Sequence, residues 1–180
     1  MKRFTDFRFW IGLLSCLSLI QYELVGQDKE VRPSPPAKTI FNLNGNDITV
    51  NYSSPAVKGR EIWGKLVPFD KVWRTGANEN TTITFTKAVL IDGKKLAAGT
   101  YGVHSIPSQN EWIIIFSNDS KEWGSFSYKQ EHDALRIKAK PQSNEFQERL
   151  SFTIDKENSK AKVTLSWEKL KIAFNVENVK

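Results

Sequence analysis

Apolar and polar residues alternate along much of this chain, and the alternation restricts it to β structure. Successive side chains of a β-strand point to opposite faces, so a period of two places the apolar residues of a segment on one face. No segment shows the period of a long amphipathic helix. The alternating apolar positions are Ile83 and Phe85; Leu135, Ile137 and Ala139; Leu150, Phe152 and Ile154; Val163, Leu165 and Trp167; and Ile172, Phe174 and Val176.

Short turn signals separate these segments, among them Asn44-Gly45-Asn46, Asp92-Gly93 and Asn158-Ser159. Asn, Asp and Gly tolerate the backbone conformations of tight turns. We therefore expect residues 40–43 and 48–52 to pair as a hairpin. The whole pattern predicts an all-β fold, an antiparallel β-sandwich or barrel-like sandwich of roughly ten short strands with little helix.

The first residues are typical of an export signal. Basic residues precede an apolar run over 9–20, and a small residue, Gly26, ends the region, so we expect a signal peptide over 1–26. A flexible Pro-rich linker over 27–38 and a single β-sandwich domain over 39–180 are expected to follow. The prediction is an exported protein, periplasmic or secreted, with no transmembrane segment in the mature chain. Two alternatives are a lipoprotein anchored through Cys16 and an uncleaved anchor.

Composition excludes several classes of protein. With 39% hydrophobic and 12% aromatic residues the chain can form a core, and its single cysteine excludes a disulfide scaffold and a Cys-rich zinc module,. The net charge is +6, but the lysines alternate with apolar residues instead of clustering. This spacing is typical of solvated strand faces, and no nucleic-acid partner is expected.

One stretch, residues 52–80, interrupts the alternation with three glycines and two prolines. Long loops in compact domains are often functional, so we place the candidate ligand site here. Trp63 and Trp73 could stack on a ligand or pack in the core. Arg74 could clamp a carboxylate or pair internally with the nearby Glu79. The candidate ligand-binding residues are Trp63, Trp73, Arg74, Asn78, Glu79 and His104.

No catalytic or metal signature accompanies these residues. Ser105 follows His104 in a predicted strand, so the two side chains point to opposite faces and cannot form a catalytic pair. His132 lies in a polar stretch, and no zinc-ligand spacing or phosphate-binding glycine loop is present,. We expect no cofactor and no metal. Glycosidase chemistry would need two facing carboxylates, and their separation cannot be deduced from the sequence.

Two segments carry a family resemblance: KVWRTGANE over 71–79 and AGTYGVHSIP over 98–107. With their surroundings they resemble an uncharacterised family of secreted bacterial proteins, catalogued as domain of unknown function 2911. The resemblance covers about residues 39–154. It implies a signal peptide and a β-rich extracytoplasmic domain, and it implies no established activity and no catalytic residues.

The leading functional hypothesis is a non-catalytic binding or accessory module for a glycan, a peptide or another envelope component. It follows from the aromatic, Arg, Asn and Glu content of the 52–80 loop and from the missing catalytic signature. One alternative is a hydrolase with Glu79 as general acid or base. A further alternative is a structural or partner-binding envelope protein, which full burial of Trp63 and Trp73 would favour.

Overall fold

The computed structural model describes residues 32–179, and these residues are nearly all β, as the sequence predicts. The strands are β1 (Pro36–Leu43), β2 (Asn46–Ser53), β3 (Thr82–Phe85), β4 (Val89–Ile91), β5 (Lys94–Leu96), β6 (Gly99–Ile106), β7 (Trp112–Ser117), β8 (Asp133–Ala139), β9 (Gln142–Glu157) and β10 (Lys160–Asn178). They form a six-stranded sheet in the order β1-β2-β3-β6-β7-β8 and a four-stranded sheet in the order β5-β4-β10-β9. Every strand pair is antiparallel, which gives the expected sandwich.

The Asn-Gly hairpin is confirmed. Strands β1 and β2 pair from Leu43 and Asn46 outward, and Asn44 and Gly45 form a two-residue turn. Both turn residues have positive φ, 50° and 81°, the conformation that matches the twist of the flanking strands. Asp92 and Gly93 connect β4 to β5 in the same way, with φ values of 43° and 82°.

The last two apolar runs of the sequence form one strand, β10, but the alternation of the second run is offset by one residue from that of the first. Val163, Leu165 and Trp167 are buried at odd positions, whereas Ile172 and Phe174 are buried at even positions. The pairing of β10 with β9 is irregular between Ser166 and Leu170, where Glu168 has a φ of 57°. A bulge here inserts one residue and returns the second run to the core face.

The two sheets bury a shared apolar core that includes Phe85, Trp112, Phe116 and Trp167. They are also joined where the chain leaves β2, because Ala56 pairs with Arg149 of β9. Residues 112–116 are apolar at every position, a pattern that predicts a central strand buried on both faces. The strand that they form, β7, instead lies beside the edge strand β8, which corrects that expected position. It is nevertheless largely buried on both faces, because residues 118–132 fold back over its outer side, where Tyr128 reaches the neighbouring strand.

The described part of the predicted linker is docked on the domain. β1 begins at Pro36, three residues before the expected domain start. Before it, the carbonyl of Pro35 accepts a hydrogen bond of 2.8 Å from the Ser54 amide, and the carbonyl of Ser34 accepts one of 3.0 Å from Asn78. Backbone carbonyls of proline-rich chain remain good acceptors, so few apolar contacts are needed to hold it.

The predicted signal peptide over 1–26 and the lipidation alternative at Cys16 lie outside the described residues. Within residues 32–179 the helical element is a single turn of 3-10 helix, Gln130–His132, and no helix there could cross a bilayer.

Candidate functional site

The second half of the 52–80 loop is held against strand β6. Trp73 and Ser105 exchange two backbone hydrogen bonds, each of 2.8 Å. The hydroxyl of Thr75 lies 3.0 Å from that of Ser105, and the Thr81 hydroxyl donates to the Thr75 carbonyl over 3.0 Å. The loop is therefore an ordered extension of the six-stranded sheet, and its side chains have fixed positions.

Four tryptophans meet beneath this loop: Trp63, Trp73, Trp112 and Trp167. Trp73 stacks on Trp167 with ring centroids 6.0 Å apart and an interplanar angle of 18°. Trp63 contacts Trp112 and Trp167 edge-on at 5.0 and 5.7 Å. Trp112 and Trp167 are fully buried, whereas Trp63 and Trp73 are partly buried. Trp63 is therefore mainly a packing residue, and Trp73 lies where the cluster reaches the surface.

A cavity of about 350 Å³ opens above this cluster, and three of the predicted ligand-binding residues line it: Trp73, Arg74 and Asn78. Its other lining residues are Ser34, Pro55, Arg60, Leu66, Val67, Gly76, Ala77 and Trp167. Two arginines and no acidic residue are among them. The cavity is thus partly aromatic and carries positive charge, which suits an anionic ligand with an apolar face.

Arg74 has no carboxylate partner among the described residues. Glu79 instead pairs with Arg32, with nitrogen–oxygen distances of 2.9 and 3.0 Å, and it also accepts a hydrogen bond of 3.3 Å from Ser53. This corrects the alternative of an internal Arg74–Glu79 ion pair. Arg74 is partly buried, its Nε is buried without a hydrogen-bond partner, and burial lowers its pKa. Arginine nevertheless stays protonated at neutral pH, so Arg74 presents an unmatched charge.

The other polar groups of the cavity are partly engaged. The indole N–H of Trp73 donates to the Gly76 carbonyl over 3.1 Å, so the ring has no free donor. Asn78 uses its amide nitrogen on Ser34, which leaves its side-chain oxygen as an acceptor. Arg60 donates to the carbonyls of Ala56 and Val57.

His104 lies apart from the lining of this cavity, on the face of β6 opposite to Val103 and Ser105. It is fully buried and both of its ring nitrogens lack hydrogen-bond partners among the described residues. Its ring is 5.2 Å from that of Tyr128. Burial lowers the pKa of His104, and the carboxylates of Glu122, Asp133 and Asp119 oppose that shift. It is therefore a buried, neutral residue beneath residues 118–132.

A second chain segment, residues 119–128, also lies near Arg74, and the sequence did not indicate it as part of the site. Trp123 pairs with Glu79 through the backbone, and the Arg74 side chain occupies the space that a Cβ atom on Gly124 would enter. Phe126 lies beside Gly124. The sequence signal for them is three aromatic residues, Trp123, Phe126 and Tyr128, in an otherwise polar stretch, which does not show that they meet Arg74.

The geometry offers little to a hydrolytic mechanism. Glu79 is exposed, and its hydrogen bond to Arg32 lowers the pKa of its carboxyl, which disfavours the protonated form that a general acid needs. Its described partners are Arg32 and Ser53, and neither is a second carboxylate. Between residues 32 and 179, no group of three or more His, Cys, Asp and Glu side chains could hold a metal ion.

Comparisons with known proteins give one match. A family model described as "Protein of unknown function (DUF2911)" matches residues 34–176, which include every strand of the two sheets except the last residues of β10. Searches of curated proteins and of solved structures found no match.

Proposed function

This chain belongs to the DUF2911 family, and we propose that it is a non-catalytic extracytoplasmic binding module. Its ligand carries a carboxylate and an apolar face, as an acidic sugar or the end of a peptide does. The site is the cavity lined by Trp73, Arg74, Asn78 and Arg60.

The observation that carries this proposal is the unmatched charge of Arg74. A partly buried cation without a counter-ion costs solvation energy, and proteins normally pair it. Here Glu79, the acidic residue of the same loop that the sequence suggested as a partner, is held by Arg32. The buried Nε also lacks an acceptor among the described residues. A ligand carboxylate would supply the missing negative charge by pairing with the terminal nitrogens of the guanidinium.

The other residues that line the cavity would contact the uncharged part of the ligand. The Trp73 ring, whose N–H is already bonded to Gly76, offers an apolar face for a sugar or side-chain methylene. The free oxygen of Asn78 can accept a hydroxyl or an amide proton. The burial of Trp112 and Trp167 below gives this wall a rigid support, because a cavity on a packed core needs little ordering when it binds.

The export that we propose for residues 1–26 supports an envelope or extracellular ligand. Cell fractionation of an epitope-tagged chain tests it. We expect the protein outside the cytoplasm, shortened by the signal. A lipoprotein anchored through Cys16 would instead remain with membranes, and Cys16→Ser would release it.

Calorimetric titration with oligogalacturonate and with an Ala-Ala peptide tests binding and separates the two sources of carboxylate. We expect one of them to bind, and the variant Arg74→Met to abolish that binding. Lys95→Gln is the matched control, because it also removes one positive charge but lies on β5 of the other sheet. Equal binding by wild type and Arg74→Met, or binding to neutral maltohexaose alone, would overturn the proposal.

Trp73→Ala is a poor probe of this site. Trp73 stacks on Trp167, so its removal disturbs the core and would reduce binding through unfolding as well as through lost contact. Arg74→Met avoids that ambiguity because methionine keeps much of the side-chain volume.

A further inference from the structure

Beside Arg74 the domain exposes two large aromatic side chains on one loop. We call residues 119–128 the aromatic loop. Trp123 is 59% exposed. Phe126 is 91% exposed, the largest exposure among the large hydrophobic residues that the structure describes. A side chain of this size in water is costly unless it meets a partner, so the pair indicates a contact surface.

The aromatic loop is fixed to the chain segment that carries Arg74. The amide of Asn80 donates to the carbonyl of Glu122 over 3.2 Å. The hydroxyl of Ser125 donates to the carbonyl of Val72, also over 3.2 Å. The two bonds lie on either side of Arg74 in the chain, so they hold both ends of the segment that carries it. The backbone of Trp123 is thereby held in position before any ligand arrives, which lowers the entropy cost of binding.

At Gly124 the guanidinium of Arg74 and the ring of Phe126 come close together. A Cβ atom built on Gly124 would lie 3.2 Å from Nη1 of Arg74 and 3.2 Å from two carbons of the Phe126 ring. The guanidinium and the ring therefore border the same point of the surface. Glycine is needed here both for this close approach and for its φ of 75°,.

We infer that the aromatic loop extends the Arg74 site into a docking surface for an acidic glycan. One sugar residue places its carboxylate on Arg74, and neighbouring rings lie on Phe126 and Trp123. Sugar rings combine an apolar C–H face with a hydroxyl rim, which matches exposed aromatic rings set among serines. The inference rests on the proposed binding function and names its ligand class.

Charge distinguishes a glycan from a membrane surface. Exposed aromatic residues beside lysines can also insert into anionic lipid. Residues 118–133, however, contain Lys121 and Lys129 against four acidic residues, Asp119, Glu122, Glu131 and Asp133. An excess of acid over the whole segment repels the extended charge of an anionic bilayer. A short oligosaccharide carries one carboxylate on each sugar, so its acidic groups can face Arg74 and Arg60 while its uncharged C–H faces lie on the aromatic loop.

The test compares ligand lengths on one double variant, Trp123→Ala with Phe126→Ala. Both side chains are exposed, so the variant should fold normally, and circular dichroism with a thermal melt verifies this. We expect hexagalacturonate to bind about tenfold more weakly, because two stacked rings are lost. Binding of monomeric galacturonate, which needs only Arg74, should be unchanged. Phe146→Ala is the matched control, since Phe146 is an exposed aromatic residue, 54% accessible, on β9.

The outcomes separate this inference from the proposed function. If the double variant binds hexagalacturonate as tightly as wild type while Arg74→Met does not bind it, the docking surface is wrong and the Arg74 site stands. If wild type binds neither sugar but binds the Ala-Ala peptide through Arg74, the glycan inference fails and the Arg74 site stands. If it binds neither the sugars nor the peptide, both proposals fail. If the double variant instead loses binding to phosphatidylglycerol vesicles and wild type ignores the sugars, the loop is a membrane contact and the glycan assignment is overturned.

Discussion

Glu79 pairs with Arg32, so within residues 32–179 Arg74 has no carboxylate partner. The Arg32–Glu79 contact, 2.9 Å between Nη1 and Oε1, joins the chain just before β1 to the end of the 52–80 loop. Both side chains are well exposed, so solvent screens the pair and it contributes little to stability. Its consequence is chemical, because it removes Glu79 as a partner for Arg74 and as a general acid.

Replacing Arg74 with methionine should change stability by less than about 1 kcal/mol, since no ion pair is broken and an unmatched charge is removed. Urea unfolding of wild type and Arg74→Met at pH 7 measures the difference. A loss near 3 kcal/mol would mean that Arg74 has a structural partner after all, and would remove the basis of the binding proposal.

Trp167→Ala should destabilise the domain by about 3–5 kcal/mol, because its fully buried ring supports Trp63 and Trp73,. Trp123→Ala is the comparison, with an expected change within about 0.5 kcal/mol because that ring is mostly exposed. Thermal unfolding of the two variants measures both losses of stability. Similar losses would contradict the separation of the tryptophans into a packing cluster and a contact surface.

Burial of His104 should make the domain less stable in acid. Its pKa is lowered in the folded state. Below about pH 6.5 His104 therefore binds a proton in the unfolded chain but much less readily in the folded chain. Stability is therefore greatest at neutral pH and falls as pH drops through this range. The carboxylates of Glu122, Asp133 and Asp119 reduce the effect.

The variant His104→Gln tests this pH dependence. The measured quantity is the difference in unfolding free energy between pH 7.5 and pH 5, which we expect to be smaller in the variant. Comparing differences cancels the constant cost of replacing a buried side chain. An equal difference in wild type and variant would show that other groups cause the acid sensitivity.

Asn46→Ala should lower the free energy of unfolding by about 2 kcal/mol, because buried hydrogen-bonding groups lose their partner. Asn46 is fully buried. Its amide nitrogen donates to Asn178 over 2.9 Å, and its oxygen accepts from the amide of Lys87 over 3.0 Å. It thus links β2 to the end of β10. Asn51→Ala, an exposed position on the same strand, should be close to neutral in the same denaturation assay.

Much of the fold could be predicted because strand geometry is local. The period-two runs became β3, β8, β9 and β10. The Asn-Gly, Asp-Gly and Asn-Ser pairs became the turns between β1 and β2, β4 and β5, and β9 and β10. The change of parity between Trp167 and Ile172 could also have been seen in the sequence. It indicated either two strands or one bulged strand, and only the partner strand β9 decides between them.

Only part of the lining of the proposed site could be predicted from the sequence. Trp73, Arg74 and Asn78 line one cavity, and their closeness follows from their closeness in sequence. Glu79 and His104 do not join them, because strand alternation and the docking of Arg32 direct those side chains elsewhere. Trp123 and Phe126 were missed, since nothing within residues 119–128 indicates which other segment lies against them.

The sequence by itself determined the fold class, the main turns and the loop that carries Arg74, because each depends on conformational preferences over a few neighbouring residues. The tertiary structure alone decided which charges meet, which tryptophans share a cluster and which aromatic rings remain in water. Those contacts join residues far apart in the chain, such as Arg32 with Glu79 and Trp63 with Trp167. Sheet order, and not spacing along the chain, brings such residues together.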